Sequence, residues 1–220
     1  MLPTFQANLQ EVRDKIIAIG EDLVRSNELI LEALKECDEQ KFSQARNYIK
    51  NISSRTDDID NAIIKILALY TPEARDLRQV VAYFKITNEI ARACSNTRSF
   101  IRGFSAVCKE LDVATINEYT VPMQTSTVKA IKTSIEMMRV EDADEIQEMY
   151  EDVLIEENKA DDLYEMIERK LVSQAESAAS SFEKFHKMLK ALRKSEKIAG
   201  RAISVANLLV YIKLGGNLHN

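Results

Sequence analysis

Glu157 and Asp161 stand four residues apart, one turn of an α-helix, so on helical spacing the two carboxylates share a face. That face continues as Val153, Ala160, Tyr164, Ile167 and Leu171, and is otherwise mostly apolar. Glu196 lies in a second series of the same kind, with Phe185, Leu189, Leu192, Ala199 and Ile203. Asp60 stands beside Ile59 and one turn from Ile63. Carboxylates on an apolar seam resist desolvation and repel one another. They can pair with Lys or Arg, share a proton, or bind a hard cation through oxygen, for which iron or manganese is suited. The plainer alternative puts them at the stripe edge, reaching solvent or a neighbouring Arg. Spacing alone leaves both readings open.

Other chemistry is thinly represented. Glu183-Lys-Phe-His186 is a single Glu-x-x-His, whereas a di-iron bundle uses two such motifs and two further Glu. The second histidine is His219, near the C-terminus, and His186 reads as a surface helix residue. No GxxxxGK[ST], GxGxxG, HExxH or GxSxG occurs, so neither a nucleotide cradle nor a nucleophilic triad is indicated. Cys37, Cys94 and Cys108 form no CxxC, and an odd count makes a poor disulfide framework. Cys94 and Cys108 read as core or partly buried thiols in a reducing cytoplasm.

Charge is patterned too. Lys184, Lys187, Lys190, Lys194, Lys197 and Arg201 fall on one helical face, while residues 136–168 hold 14 acidic and 2 basic residues. The simpler reading sets the basic stripe against that acidic helix, balancing charge within the bundle. The sharper reading makes it a docking face for a protein partner. The chain carries a net charge of −5, which disfavours nonspecific nucleic-acid binding.

Long helices must position these groups. Of 220 residues, 5 are Gly and 3 are Pro, so turns are few, and a β-sandwich or a doubly wound sheet is disfavoured. Apolar residues recur at three- and four-residue spacing almost throughout. Val12, Ile16, Ile19, Leu23, Ile30 and Leu34 give a first helix. Ala45, Ile49, Ile52, Ile59, Ile63, Leu67 and Tyr70 give a second. Thr71-Pro72-Glu73 reads as the start of a third, with Thr71 as N-cap, running to about Ile101 with Gly103 a weak point. A fourth follows Val121-Pro122 and carries Val128, Ile131, Ile135 and Met138. A fifth begins in the acidic turn 141–144. A sixth runs from about Ala175 to Ile212, carries Phe182, and is closed by Gly215-Gly216. The expected fold is all-α, with six helices in two tandem antiparallel three-helix bundles, residues 1–109 and 121–220, joined by a connector at 110–120. Residues 1–15 lack an apolar core of signal-peptide type, and the apolar run 202–212 is too short to span a membrane.

The segment Asp57-Asp58-Ile59-Asp60, then Tyr70-Thr-Pro-Glu-Ala-Arg-Asp-Leu-Arg78, then Ala82-Tyr-Phe-Lys-Ile-Thr-Asn-Glu-Ile90, resembles the PhoU family of phosphate-uptake regulators. Pro72, Ala74, Arg75, Asp76, Leu77, Arg78, Lys85 and Ile86 match its pattern in place. The second half, with Glu157–Tyr164 and Ser195–Ala199, resembles the family's repeat. The resemblance implies a cytoplasmic, non-enzymatic regulator that touches the ATPase of a phosphate ABC transporter, or another phosphate transporter, and a membrane sensor kinase. It also implies no membrane insertion, and several members form homodimers. Some members hold iron or other metals through a repeated (E/D)xxxD pattern, which would place ligands at Glu157, Asp161, Glu196 and Asp60. This chain departs from that pattern with Thr56 before Asp60, Ala91 and Ser95 in the third helix, and Gly200 after Glu196. Arg75, Asp76 and Arg78 are expected to pair locally at the start of the third helix, with a partner-binding role as the alternative. The partner-binding surface is not identified by the sequence.

Overall fold

The computed structural model describes residues 3–177 and 179–215, without the side chains of 172–181. Gly216 and His219 lie outside the described residues. The main helices are α1 (Pro3–Leu34), α2 (Glu39–Tyr48), α3 (Ile52–Tyr70), α4 (Ala74–Ser105), the single turn α5 (Val113–Thr115), α6 (Val121–Glu136), α7 (Ala143–Ser177) and α8 (Ala179–Leu214). No strand occurs among the described residues. The protein is all-α, as its periodicity predicts.

The α1 stripe from Val12 to Leu34 is buried along its length. Asp38 then starts α2 by accepting from the Gln40 and Lys41 N–H groups at 2.8 and 3.1 Å. The expected second helix is two helices, because the chain breaks at residues 49–51. Carbonyls freed near the break find partners outside their own helix. Ser26 Oγ donates to Ala45 O at 2.8 Å, and Arg98 Nη1 donates to Ile49 O at 3.3 Å.

Thr71 does not begin α4. It closes α3 in the left-handed conformation with φ 44°, and α4 starts at Ala74 after an extended Glu73. Gly103 does not interrupt α4; a Cβ there would meet the Ala191 Cβ at 3.5 Å, so α4 and α8 approach closely. The connector is largely wound, with a 3-10 turn (Cys108–Glu110), α5 and a π turn (Ile116–Thr120) leading into α6. Pro122 stands in the first turn of α6. Asp142 accepts from the Asp144 and Glu145 N–H groups, which makes the acidic turn the cap of α7. Gly215, with φ 81°, closes α8 as expected. Ala175 lies in α7 rather than opening α8. Leu67 and Phe182 fall outside the core, and Phe182 instead stacks on the exposed His186.

The halves share their packing. α4 lies along α8, and α1 packs on both α4 and α6. Gly20 permits the α1–α6 approach, since a Cβ there would come within 2.5 Å of Ile135 Cδ1. Two apolar clusters fill the interior. One gathers Phe5–Leu23, Val80–Cys94, Ala130–Met138 and Ile198–Ile212; the other gathers Ile30–Phe42, Phe100–Leu111 and Tyr164–Leu192. Between them, at one level of the bundle, lie the buried polar residues Asn27, Thr97, Gln124, Thr127 and Ser195. No described helix is long and apolar enough to cross a membrane.

The cysteines depart from expectation. Cys37 and Cys108 form a disulfide, with Cα atoms 5.7 Å apart and a sequence separation of 71. Cys94 is the free thiol, and it is fully buried. The fold brings the two partners together where spacing gave no sign of a pair.

Candidate functional site at the α7–α8 seam

α7 and α8 run antiparallel, so that Tyr164 meets Arg193 and Glu157 meets Gly200. Val153, Ala160, Tyr164, Ile167 and Leu171 of α7 are buried, with Leu192, Ile198 and Ala199 of α8. Glu157 and Glu196 are half-buried at this seam, as their spacing predicts. Asp161 is exposed, because Ala160 takes the inward position at that turn.

The carboxylates act on one another. Burial pushes the Glu157 carboxyl up from its ordinary range, and the charges of Asp161 and Glu196 push it further. Burial also raises Glu196, with Arg193 opposing and Asp161 reinforcing the shift. Arg193 Nε lies 3.3 Å from Glu196 Oε2, within ion-pair range. Its N–H is not aimed at that oxygen, which is buried without a hydrogen bond. The Arg193 guanidinium instead spreads over the Tyr164 ring, 4.9 Å from its centroid. Tyr164 in turn donates its hydroxyl to Glu168 at 3.3 Å.

Asp60 is not part of this seam. It sits on α3, which packs on α1 and α4, and its Oδ1 is buried without a partner. Burial and the neighbouring Asp57 push its carboxyl up. For iron or manganese the oxygen donors of the seam are of the right type, but they are too few and too spread. Among the described residues no three His, Cys, Asp or Glu side chains converge closely enough to hold a metal ion. As placed, these residues do not fit a resident metal centre. A Cβ at Gly200 would lie 3.9 Å from Glu157 Oε1, so the missing arm of the motif faces a surviving one.

Among the described residues no ion pair joins the basic stripe of α8 to α7. Arg201 pairs with Glu89 of α4, and Lys187 with Glu183 of its own helix. Glu156 of α7 pairs with Lys129 of α6 and Lys159 of α7. Lys190 and Lys197 are exposed, and Lys194 half-exposed, along one face. Among the described residues the local pairing expected for Arg75, Asp76 and Arg78 is also not what forms. Arg78 lies 5.3 Å over the Tyr211 ring. Arg75 and Asp76 instead line a polar cleft of about 340 Å³ with Arg13, Glu141 and Lys213. There Glu141 accepts from both Arg13 and Lys213, which hold its carboxyl below the usual range. The sequence reading missed both this cleft and the polar layer. Asn27, Thr97 and Ser195 interrupt apolar stripes as Glu157 does, which was the available signal.

Fold and seam together define an all-helical tandem bundle without a built catalytic constellation among the described residues. Residues 16–99 match the sequence profile of the PhoU domain. A Pseudomonas aeruginosa protein named as a phosphate-specific transport system accessory protein PhoU homolog is 23% identical over 220 residues, covering 98% of this chain and 88% of that protein. The fold matches the crystal structure of PhoU from Pseudomonas aeruginosa with a TM-score of 0.85 at 22% identity, over 96% of this chain and 100% of the other. It matches the phosphate transport system regulatory protein PhoU from Streptococcus pneumoniae with a TM-score of 0.79 at 17% identity, over 96% and 98%. Residues 16–99 thus match a PhoU domain, and the chain as a whole is similar to PhoU proteins at low identity over nearly its full length.

Proposed function

We infer that this protein regulates phosphate uptake and the phosphate-starvation response as a cytoplasmic accessory protein. It acts by contact with a phosphate transporter, such as the ATPase of an ABC system, and with a membrane sensor kinase, and has no reaction of its own. The observation that carries this reading is the similarity to a transport accessory protein along 98% of the chain. The face suited to such contact is the stripe Lys190, Lys194 and Lys197, which is exposed or half-exposed and would meet an acidic partner surface. The test is deletion of the gene with phosphate uptake and a phosphate-starvation reporter as readouts. Raised uptake or a derepressed reporter, restored by the intact gene and not by a triple Lys→Glu variant of the stripe, supports the reading. Unchanged uptake and reporter at both low and high phosphate overturn it.

A second reading takes iron or manganese at Glu157, Asp161 and Glu196, whose side chains would have to draw together around the ion. It is favoured by the buried Glu196 Oε2, which has no hydrogen bond. Metal analysis of protein purified without chelator tests it. Stoichiometric metal that vanishes in Glu157→Ala or Glu196→Ala supports it, and a metal-free folded protein overturns it.

A further inference from the structure

We propose that Cys37 and Cys108 form a reversible thiol–disulfide site whose oxidation clamps α2 and the start of the connector onto the bundle. Cys37 follows the end of α1 with φ 50°, directly before the Asp38 cap of α2. Cys108 opens the 3-10 turn that leaves α4 for the second half. The bond therefore joins both ends of a segment that contains α2, α3 and α4.

The other ties at this corner are few: Ser26 Oγ holds the Ala45 carbonyl of α2, and Lys41 pairs with Glu32 of α1 at 3.1 Å. Glu39 and Lys109, the residues just beyond each partner's turn, form an ion pair at 2.6 Å. Both side chains are about 70% exposed, and such pairs contribute little. α2 is 10 residues long and buries only Phe42 and Ala45. Phe42 reaches Phe104 with ring centroids 6.5 Å apart. A short helix with two buried side chains belongs to the low-stability end of a fold, where a covalent tie has most effect.

Access is asymmetric. Cys108 is buried and Cys37 half-buried, so a small thiolate attacks the Cys37 sulfur. The Cys37–Cys108 bond breaks, and Cys108 leaves as a thiolate and takes a proton. A second small thiol attacks the mixed disulfide on Cys37, releasing the small-molecule disulfide and the Cys37 thiol. The chain gains two electrons and two protons, and two small thiols become one disulfide. The reverse sequence, driven by a small disulfide such as oxidised glutathione, closes the clamp. Cys94 is a built-in bystander: its burial pushes the thiol up to about 12, which keeps it protonated and unreactive.

The test equilibrates the full-length protein in glutathione mixtures, quenches with acid, and counts free thiols by maleimide labelling under denaturing conditions. One label at the oxidising end and three at the reducing end are expected. Amide exchange of residues 39–48 and 108–112 should be about tenfold faster in the reduced protein. Cys37→Ser and, as a second variant, Cys108→Ala should exchange like reduced wild type in both buffers, while Cys94→Ser should switch normally. Three labels in every mixture overturn the bond. A bond that forms without changing exchange at 39–48 overturns the clamp. Reduced and oxidised wild type carry this comparison even where a variant fails to fold.

Discussion

Gln124 of α6 donates its side-chain amide to the side-chain oxygen of Asn27 on α1 at 3.1 Å, and both residues are fully buried. Asn27 donates in turn to Thr97 of α4 at 3.2 Å, and Gln124 accepts from Ser195 of α8 at 2.9 Å. Thr127 and Ser195 hydroxyls close the group at 3.0 Å. Four helices from both halves therefore meet in one satisfied polar layer between two apolar clusters. Such a layer fixes helix register, since a shift leaves buried polar groups unpaired.

Truncation of that layer should be costly. Gln124→Ala leaves Asn27 and Ser195 short of a partner and opens a cavity, for a loss of about 2–4 kcal/mol. Asn27→Ala should cost a similar amount, and the double variant less than the sum. Urea denaturation of the three variants measures this. Losses that add to within about 0.3 kcal/mol would show that the pair is not coupled.

The α7–α8 seam should be more stable when its carboxylates are neutral. Burial and mutual repulsion raise Glu157 and Glu196 in the folded protein. The folded state thus binds protons more tightly than the unfolded chain. At neutral pH the two charges cost stability, and that cost is relieved as pH falls through the raised values toward the ordinary glutamate range. Glu157→Gln and Glu196→Gln should raise Tm at about pH 7.5, with the gain shrinking toward about pH 5. Glu141 behaves oppositely. Lys213 and Arg13 lower its carboxyl, so its stabilisation is present at neutral pH and lost as pH falls. Glu141→Gln should therefore lower Tm at neutral pH.

The α1–α6 contact should be intolerant of one added methyl group. Gly20→Ala drives a Cβ against Ile135, whose Cδ1, Cγ1 and Cγ2 would all lie within 3.0 Å. Overpacking of this kind costs about 1–3 kcal/mol. Adding Ile135→Val to Gly20→Ala should recover part of the loss in thermal denaturation. An unchanged Tm for Gly20→Ala alone would mean that the helices separate without penalty.

The open position beside Glu157 offers a gain-of-function variant. Gly200→Asp would place a fourth carboxylate against Glu157 Oε1, the nearest atom to that Cβ. In metal-free buffer it should lower Tm through added repulsion. Added manganese should raise the Tm of the variant by more than that of the parent. Equal responses would remove the seam as a metal-binding position.

The stripe of α1 and the inward faces of α6 to α8 were legible because helical period alone fixes which residues meet the core. The α2–α3 break was not. Ala45, Ile49 and Ile52 keep helical spacing across it, and the carbonyls near it are taken up by Ser26 and Arg98 from other helices. Thr71 was misread because Thr-Pro-Glu suits a helix start, while its backbone is spent closing α3. At the seam, Glu157 and Glu196 could be placed by period, but Asp161 could not, since its neighbour Ala160 satisfies the inward position equally well. The Cys37–Cys108 pair lies 71 residues apart and is set by tertiary packing, which residue spacing does not record.

The pairing of α4 with α8 also governs the order of events during synthesis. Val80–Cys94 belong to the same apolar cluster as Ile198–Ile212, which are made about a hundred residues later. A chain that has emerged only to the connector has formed the face of α4 without the surface that covers it. Ribosome-bound first halves must therefore hold an uncovered apolar stripe in water until α8 arrives, which makes the second half the folding partner of the first.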